Sequence, residues 1–176
     1  MKKIILVGYM ASGKTQIGKL LAKKLDISFF DLDHLIENEV DKSVAEIFSE
    51  CGEIYFRKKE SEILCNKIVE PASFVLSLGG GTPCYANNHE LLLSDDIISV
   101  YLKASIGTLT ERLLKNKSTR PLVSNLSDNE ISEFIAKHLF DRSFYYNQCK
   151  YSVVVDNKLI LEIVNEIEFI LNKHSY

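Results

Sequence analysis

No apolar run in this 176-residue chain approaches the ~20 residues that a membrane helix needs, so no membrane role is expected. The basic pair Lys2-Lys3 ahead of "IILVG" imitates the start of a secretion signal. Its apolar stretch is too short, however, and runs straight into a glycine-bearing loop. An excess of basic charge is also missing. With 21 Lys and Arg against 24 Asp and Glu, the net charge is −3, which argues against a general nucleic-acid binder. Cys51, Cys65, Cys84 and Cys149 show no C-x-x-C spacing, and His34, His89, His138 and His174 are equally scattered. Neither a zinc site nor a disulfide framework is expected, which leaves reduced thiols in a cytoplasmic protein. There are no repeats, no low-complexity tract and no linker. A chain of this length suits one compact domain over residues 1–176, able to bury about 70% of its unfolded surface. An N-K-x-D guanine-reading motif is absent, which removes support for a GTPase.

What is present begins at residue 8. "GYMASGKT" follows the apolar run "IILV" and precedes "QIGKLLAKKL", which has helical spacing. Gly8-x-x-x-x-Gly13-Lys14-Thr15 is the phosphate-binding loop pattern in the strand-to-helix setting that it requires. Successive backbone N–H groups make an anion cradle, and the helix dipole adds positive potential. Lys14 can reach the outer phosphates and Thr15 offers a hydroxyl to Mg²⁺. A nucleoside triphosphate is the expected ligand.

Further along, strands alternate with helices. Short apolar runs at 3–7, 28–31, 74–78, 97–102 and 151–155 fit a parallel sheet covered on both faces. Helices are expected at 15–25, 53–69 and 159–172, and Ser43-x-x-Glu46 and Ser127-x-x-Glu130 read as capping boxes. Such sheets bind ligands at the carboxyl ends of their strands. There the second strand runs into Asp31-Leu32-Asp33, whose carboxylates share a face if the strand continues. They could equally cap a helix, since "DLDHLIENE" reads as a helix start. The third strand ends in Gly79-Gly80-Gly81, either a flexible turn or a backbone stripped so that a ligand can approach it. Arg57 and Arg142 fall on helices, where a charged side chain is usually just solvated. Residues 115–129, "KNKSTRPLVSNLSDN", form the one long polar stretch, a candidate lid.

Taken in order, the loop, Asp31-x-Asp33, Gly52-Glu53-x-x-Phe56-Arg57, the glycine triplet, Arg120-Pro121-Leu122 and Arg142-x-x-x-Tyr146 resemble the shikimate kinases. These belong to the nucleoside monophosphate kinase-like group of P-loop folds. The resemblance implies a three-layer α/β/α sandwich around a five-stranded parallel sheet, order 2-3-1-4-5. It also implies a lid at about 115–127 and a substrate-binding subdomain at about 33–61. The implied activity is transfer of phosphate from ATP to the 3-hydroxyl of shikimate on the route to chorismate and the aromatic amino acids. By motif, Ala11, Ser12, Gly13, Lys14, Thr15 and Gln16 wrap the phosphates, Thr15 binds Mg²⁺ and Asp31 holds the metal shell through water. Asp33 orients or deprotonates the hydroxyl, while Arg57, Arg142 and the triplet bind shikimate. Arg112 covers the adenine and Arg120 closes from the lid. A monomer with two small-molecule substrates is implied, without nucleic acid or membrane. Ala11 stands where a third loop glycine is common, and Gln16 where a hydroxyl residue often stands. "VDNKLILEIV" lacks the proline usually beside the adenine. A gluconate kinase would share the loop but lack the Asp–Arg–triplet–Arg set, and a non-catalytic nucleotide switch would lack Asp33 or Arg120.

Overall fold

A computed structural model describes residues 2–115 and 126–173. The chain runs β1 (Lys3–Val7), α1 (Lys14–Leu25), β2 (Ser28–Asp31), then α2 (Leu32–Val40), α3 (Val44–Glu50) and α4 (Gly52–Val69). After β3 (Phe74–Ser77) come a 3₁₀ turn (Thr82–Cys84) and the short α5 (Asn88–Leu91). β4 (Ile97–Lys103), α6 (Ile106–Lys115), α7 (Asp128–Tyr146), β5 (Tyr151–Val154) and α8 (Ile160–Lys173) complete it. The sheet is wholly parallel in the order β2-β3-β1-β4-β5, as the resemblance implied. Ile4 to Val7 on the central strand are essentially inaccessible, whereas the edge strands β2 and β5 are partly exposed. Continuous apolar runs thus fell where both sheet faces are covered. Three consecutive helices, α2 to α4, occupy the crossover from β2 to β3 where the substrate subdomain was expected. All four cysteines are free thiols, and no helix among the described residues is long and apolar enough to cross a membrane.

Both capping boxes form. Ser43 Oγ accepts from the Glu46 N–H while Glu46 accepts from the Ser43 N–H, and Ser127 and Glu130 repeat the arrangement. Helix α1 lies close on the sheet at Gly18. A methyl group there would fall 2.5 Å from the Phe29 ring and 3.2 Å from Leu6. Gly18→Ala is therefore expected to destabilise despite alanine's higher helix propensity. Overpacking costs about 1–3 kcal/mol against about 1 kcal/mol of propensity gained. A melting temperature lower by a few degrees in thermal unfolding would show it; an unchanged or higher value would refute the close packing.

Candidate active site

Strand β1 delivers the loop into the N-terminus of α1. Gly13 caps that helix in the left-handed region at φ 97°, where a side chain is disfavoured. Ala11 is also left-handed, φ 64°, which explains why glycine is common there and costs this chain roughly 1–2 kcal/mol. Lys14 Nζ lies across the loop, donating to the carbonyls of Gly8 (2.8 Å) and Tyr9 (2.9 Å). With Met10 to Ile17, Asp31, Asp33 and Gly79-Gly80, Lys14 lines a cavity of about 600 Å³.

The pair after β2 is arranged differently from a continued strand. The strand stops at Asp31, and α2 begins at the next residue with Asp31 as its cap, accepting from the Asp33 N–H at 3.2 Å. Capping does not withdraw Asp31 from the cavity, because its other oxygen accepts from Thr15 Oγ1 at 3.1 Å. Asp33 sits on the first turn of the helix and still faces the cavity. Burial first, then the charges of Asp31 and Glu60, push its carboxyl up to about 6 against the pull of Lys14.

The triplet gathers the rest. A methyl group on Gly79 would lie 3.1 Å from Asp33 Oδ1, on Gly80 3.4 Å from Arg142 Nη1, and on Gly81 2.8 Å from Arg57 Nη2. None of the three has positive φ, so the turn does not demand glycine; close approach crowds a side chain at Gly79 and Gly81, while one on Gly80 would meet ordinary contact. Arg57, Arg142 and Gly81 are not on the wall of the large cavity; they lie just past Gly80. Arg57 is held in place: Nη1 donates to Glu60 (2.8 Å), Nε to Glu53 (3.3 Å), and the guanidinium lies 4.1 Å from the Tyr85 ring centre. Arg142 has no carboxylate partner among the described residues.

Sequence reasoning missed several members. Glu60, 1% exposed, accepts from both Arg57 and Thr82 Oγ1 (2.6 Å) and fixes the arginine against the triplet. Its place one helical turn after Arg57 was the available signal. Tyr146, already part of the Arg142-x-x-x-Tyr146 spacing, donates to the Gly80 carbonyl at 2.6 Å; Lys158, Ile160 and Ile163, not singled out beforehand, line the cavity. Arg112 reaches the same cavity, its Nη1 donating to the carbonyls of Ala11 (3.2 Å) and Ser12 (3.3 Å). Arg120 and ten of the thirteen residues of the expected lid fall within 116–125, outside the described residues, and His174 lies outside them too.

The family model described as Shikimate kinase matches residues 10–171. A shikimate kinase of Flavobacterium psychrophilum is 60% identical over 171 residues, covering 97% of this chain and 99% of that protein. The crystal structure of shikimate kinase from Bacteroides thetaiotaomicron superposes with a TM-score of 0.89 at 34% identity, covering 97% of this chain and 98% of that one. That of the Acinetobacter baumannii enzyme in complex with shikimate gives 0.85 at 30% identity, covering 99% and 95%. On these grounds, and with a phosphate loop facing a triplet ringed by Asp33, Arg57 and Arg142, the chain belongs to the shikimate kinase family.

Proposed function

We propose that the space between the phosphate loop and the triplet is where this protein transfers the γ-phosphoryl of ATP to the 3-hydroxyl of shikimate. The products are ADP and shikimate 3-phosphate, a step toward chorismate and the aromatic amino acids. One observation carries the placement: a carboxylate and two guanidinium groups from three distant segments converge on three adjacent glycines beside Lys14. Arg57 and Arg142 are then the grip on the shikimate carboxylate, since guanidinium forks suit a planar anion. Asp33, titrating just below neutral pH, is ionised at the working pH and accepts the proton of the attacking hydroxyl. Lys14 and the N–H groups of residues 11–16 take the phosphate charge. Phosphoryl transfer needs such positioning and neutralisation more than covalent help.

Thr15 and Asp31 are the proposed holders of Mg²⁺. Thr15 Oγ1 and an Asp31 carboxylate oxygen adjoin at 3.1 Å beside the phosphate loop, a hard all-oxygen donor set that would suit Mg²⁺, with Thr15 holding the ion and Asp31 its water shell. When bound, that ion would neutralise charge on the β- and γ-phosphates. Arg112 and the Lys158–Ile163 segment are the proposed walls of the adenine site. Residues 33–61 are the proposed acceptor subdomain, and Arg120 is assigned to the transferring phosphates on sequence grounds alone. A cytoplasmic monomer acting on two small molecules, without nucleic acid or membrane, completes the reading.

Arg57→Ala tests the acceptor side. Losing a charge-assisted pair of about 1.5–3 kcal/mol should weaken shikimate about tenfold to a hundredfold and leave ATP affinity close to normal. Calorimetric titration with each substrate decides. A loss of ATP affinity with intact shikimate binding would place Arg57 in the wrong pocket.

A further inference from the structure

One buried side chain touches both halves of the site. Tyr9 follows Gly8 in the phosphate loop, and its own carbonyl is one of the two that accept from Lys14 Nζ. Its side chain turns away from the cavity and is 1% exposed. The hydroxyl meets His138 Nδ1 at 3.0 Å, across 129 positions of sequence. His138 is on α7, its ring centre 4.1 Å from that of Phe134 one turn earlier, the two planes inclined at 50°. One turn later on the same helix is Arg142, whose guanidinium lies 5.6 Å from the centre of the Tyr9 ring. The loop that holds Lys14 and the helical turn that presents Arg142 are thus tied by a single hydroxyl–imidazole bond, with the tyrosine ring packed beside the arginine.

We propose that Tyr9 and His138 are positioning residues for phosphoryl transfer: their hydrogen bond sets the separation between the phosphate loop and the Arg142 turn of α7. This rests on Lys14 and Arg142 serving the two substrates of one reaction. Two substrates must meet in line, and an error of about 1 Å can cost a hundredfold in rate. A packed ring bonded at its far end is a rigid spacer. Neither residue belongs to the phosphate-loop pattern, so other residues could form the same loop without this link. The chemical state of the pair suits the role. Burial, then Arg142, lowers the pKa of His138 against a smaller opposing pull from Asp141, with Lys137 adding to the fall. Burial pushes the Tyr9 phenol up to about 12, so both groups stay neutral at physiological pH.

The test is steady-state kinetics on the full chain with shikimate and ATP. Tyr9→Phe and His138→Leu should each lower kcat about fivefold or more and raise the KM for shikimate, while the KM for ATP changes little. His138→Asn, whose amide can donate or accept near the position of Nδ1, should recover most of the loss. The double variant Tyr9→Phe/His138→Leu should be no worse than the poorer single one, because the two act as a unit. Singles that melt lower but keep wild-type kcat and KM would overturn the proposal, as would additive losses or an Asn variant as poor as Leu. Arg142→Ala runs alongside. If it leaves the shikimate KM unchanged, the assignment of Arg142 fails, whatever the Tyr9 and His138 variants do.

Discussion

Asp33→Asn is expected to yield a protein that is more stable and almost inactive. The amide retains size and hydrogen bonding but cannot take the proton of the shikimate hydroxyl, a contribution typically worth about 10²–10⁴ in rate. Stability moves the other way. Asp33 is pushed from 3.8 to about 6 by burial and by Asp31 and Glu60. Above that range the folded protein carries an ionised carboxylate that the unfolded chain would hold more cheaply. Below about pH 4 both states bind the proton and there is no penalty; as pH rises through about 6 the fold loses up to about 3 kcal/mol. The variant should therefore match wild type in acid and melt several degrees higher near pH 8. The same titration in the free protein predicts that wild-type kcat/KM for shikimate falls as pH drops through about 6. Thermal unfolding and kcat/KM, each measured across pH, check both halves. A variant with normal turnover would mean that Asp33 is not the base, and one that gains no stability at high pH would mean that it is not electrostatically strained.

Lys14→Met should cut turnover about a hundredfold or more, equivalent to about 2.7 kcal/mol of transition-state stabilisation. The methionine fills a similar volume but carries no charge for the outer phosphates. It also loses two hydrogen bonds to the Gly8 and Tyr9 carbonyls, so a stability loss of about 1 kcal/mol, a few degrees, accompanies it. Shikimate affinity should hold, since Lys14 serves the other substrate. Turnover near that of wild type would reject the phosphate-loop assignment. Loss of shikimate binding without loss of nucleotide binding would do so as well.

Local chemistry made much of this legible beforehand. The apolar runs marked the central strands because each is buried on both faces, and Ser43-x-x-Glu46 and Ser127-x-x-Glu130 marked helix starts because both boxes close within four residues. That Lys14 and Thr15 would line a cavity at the start of α1 was readable because the loop carries its own geometry. The two roles of Asp31 could not be separated from sequence, since a helix cap and a cavity carboxylate call for the same residue. Glu60, Tyr9 and His138 escaped notice for a different reason. Glu60 is fixed by Thr82 on another segment as well as by Arg57 on its own helix, and the Tyr9–His138 bond spans most of the chain. Nor did composition distinguish Gly79-Gly80-Gly81 as a turn from the same residues as a crowded meeting point. Only the placement of Arg57, Arg142 and Asp33 against them decided it.

Whether this site takes shikimate as its acceptor is decided by ADP release with ATP and Mg²⁺, measured against shikimate, gluconate and no acceptor. Release should depend on shikimate, yield one shikimate 3-phosphate per ADP, and stay near background in the other two arms. Release driven by gluconate, or equally fast with no acceptor, would contradict that assignment.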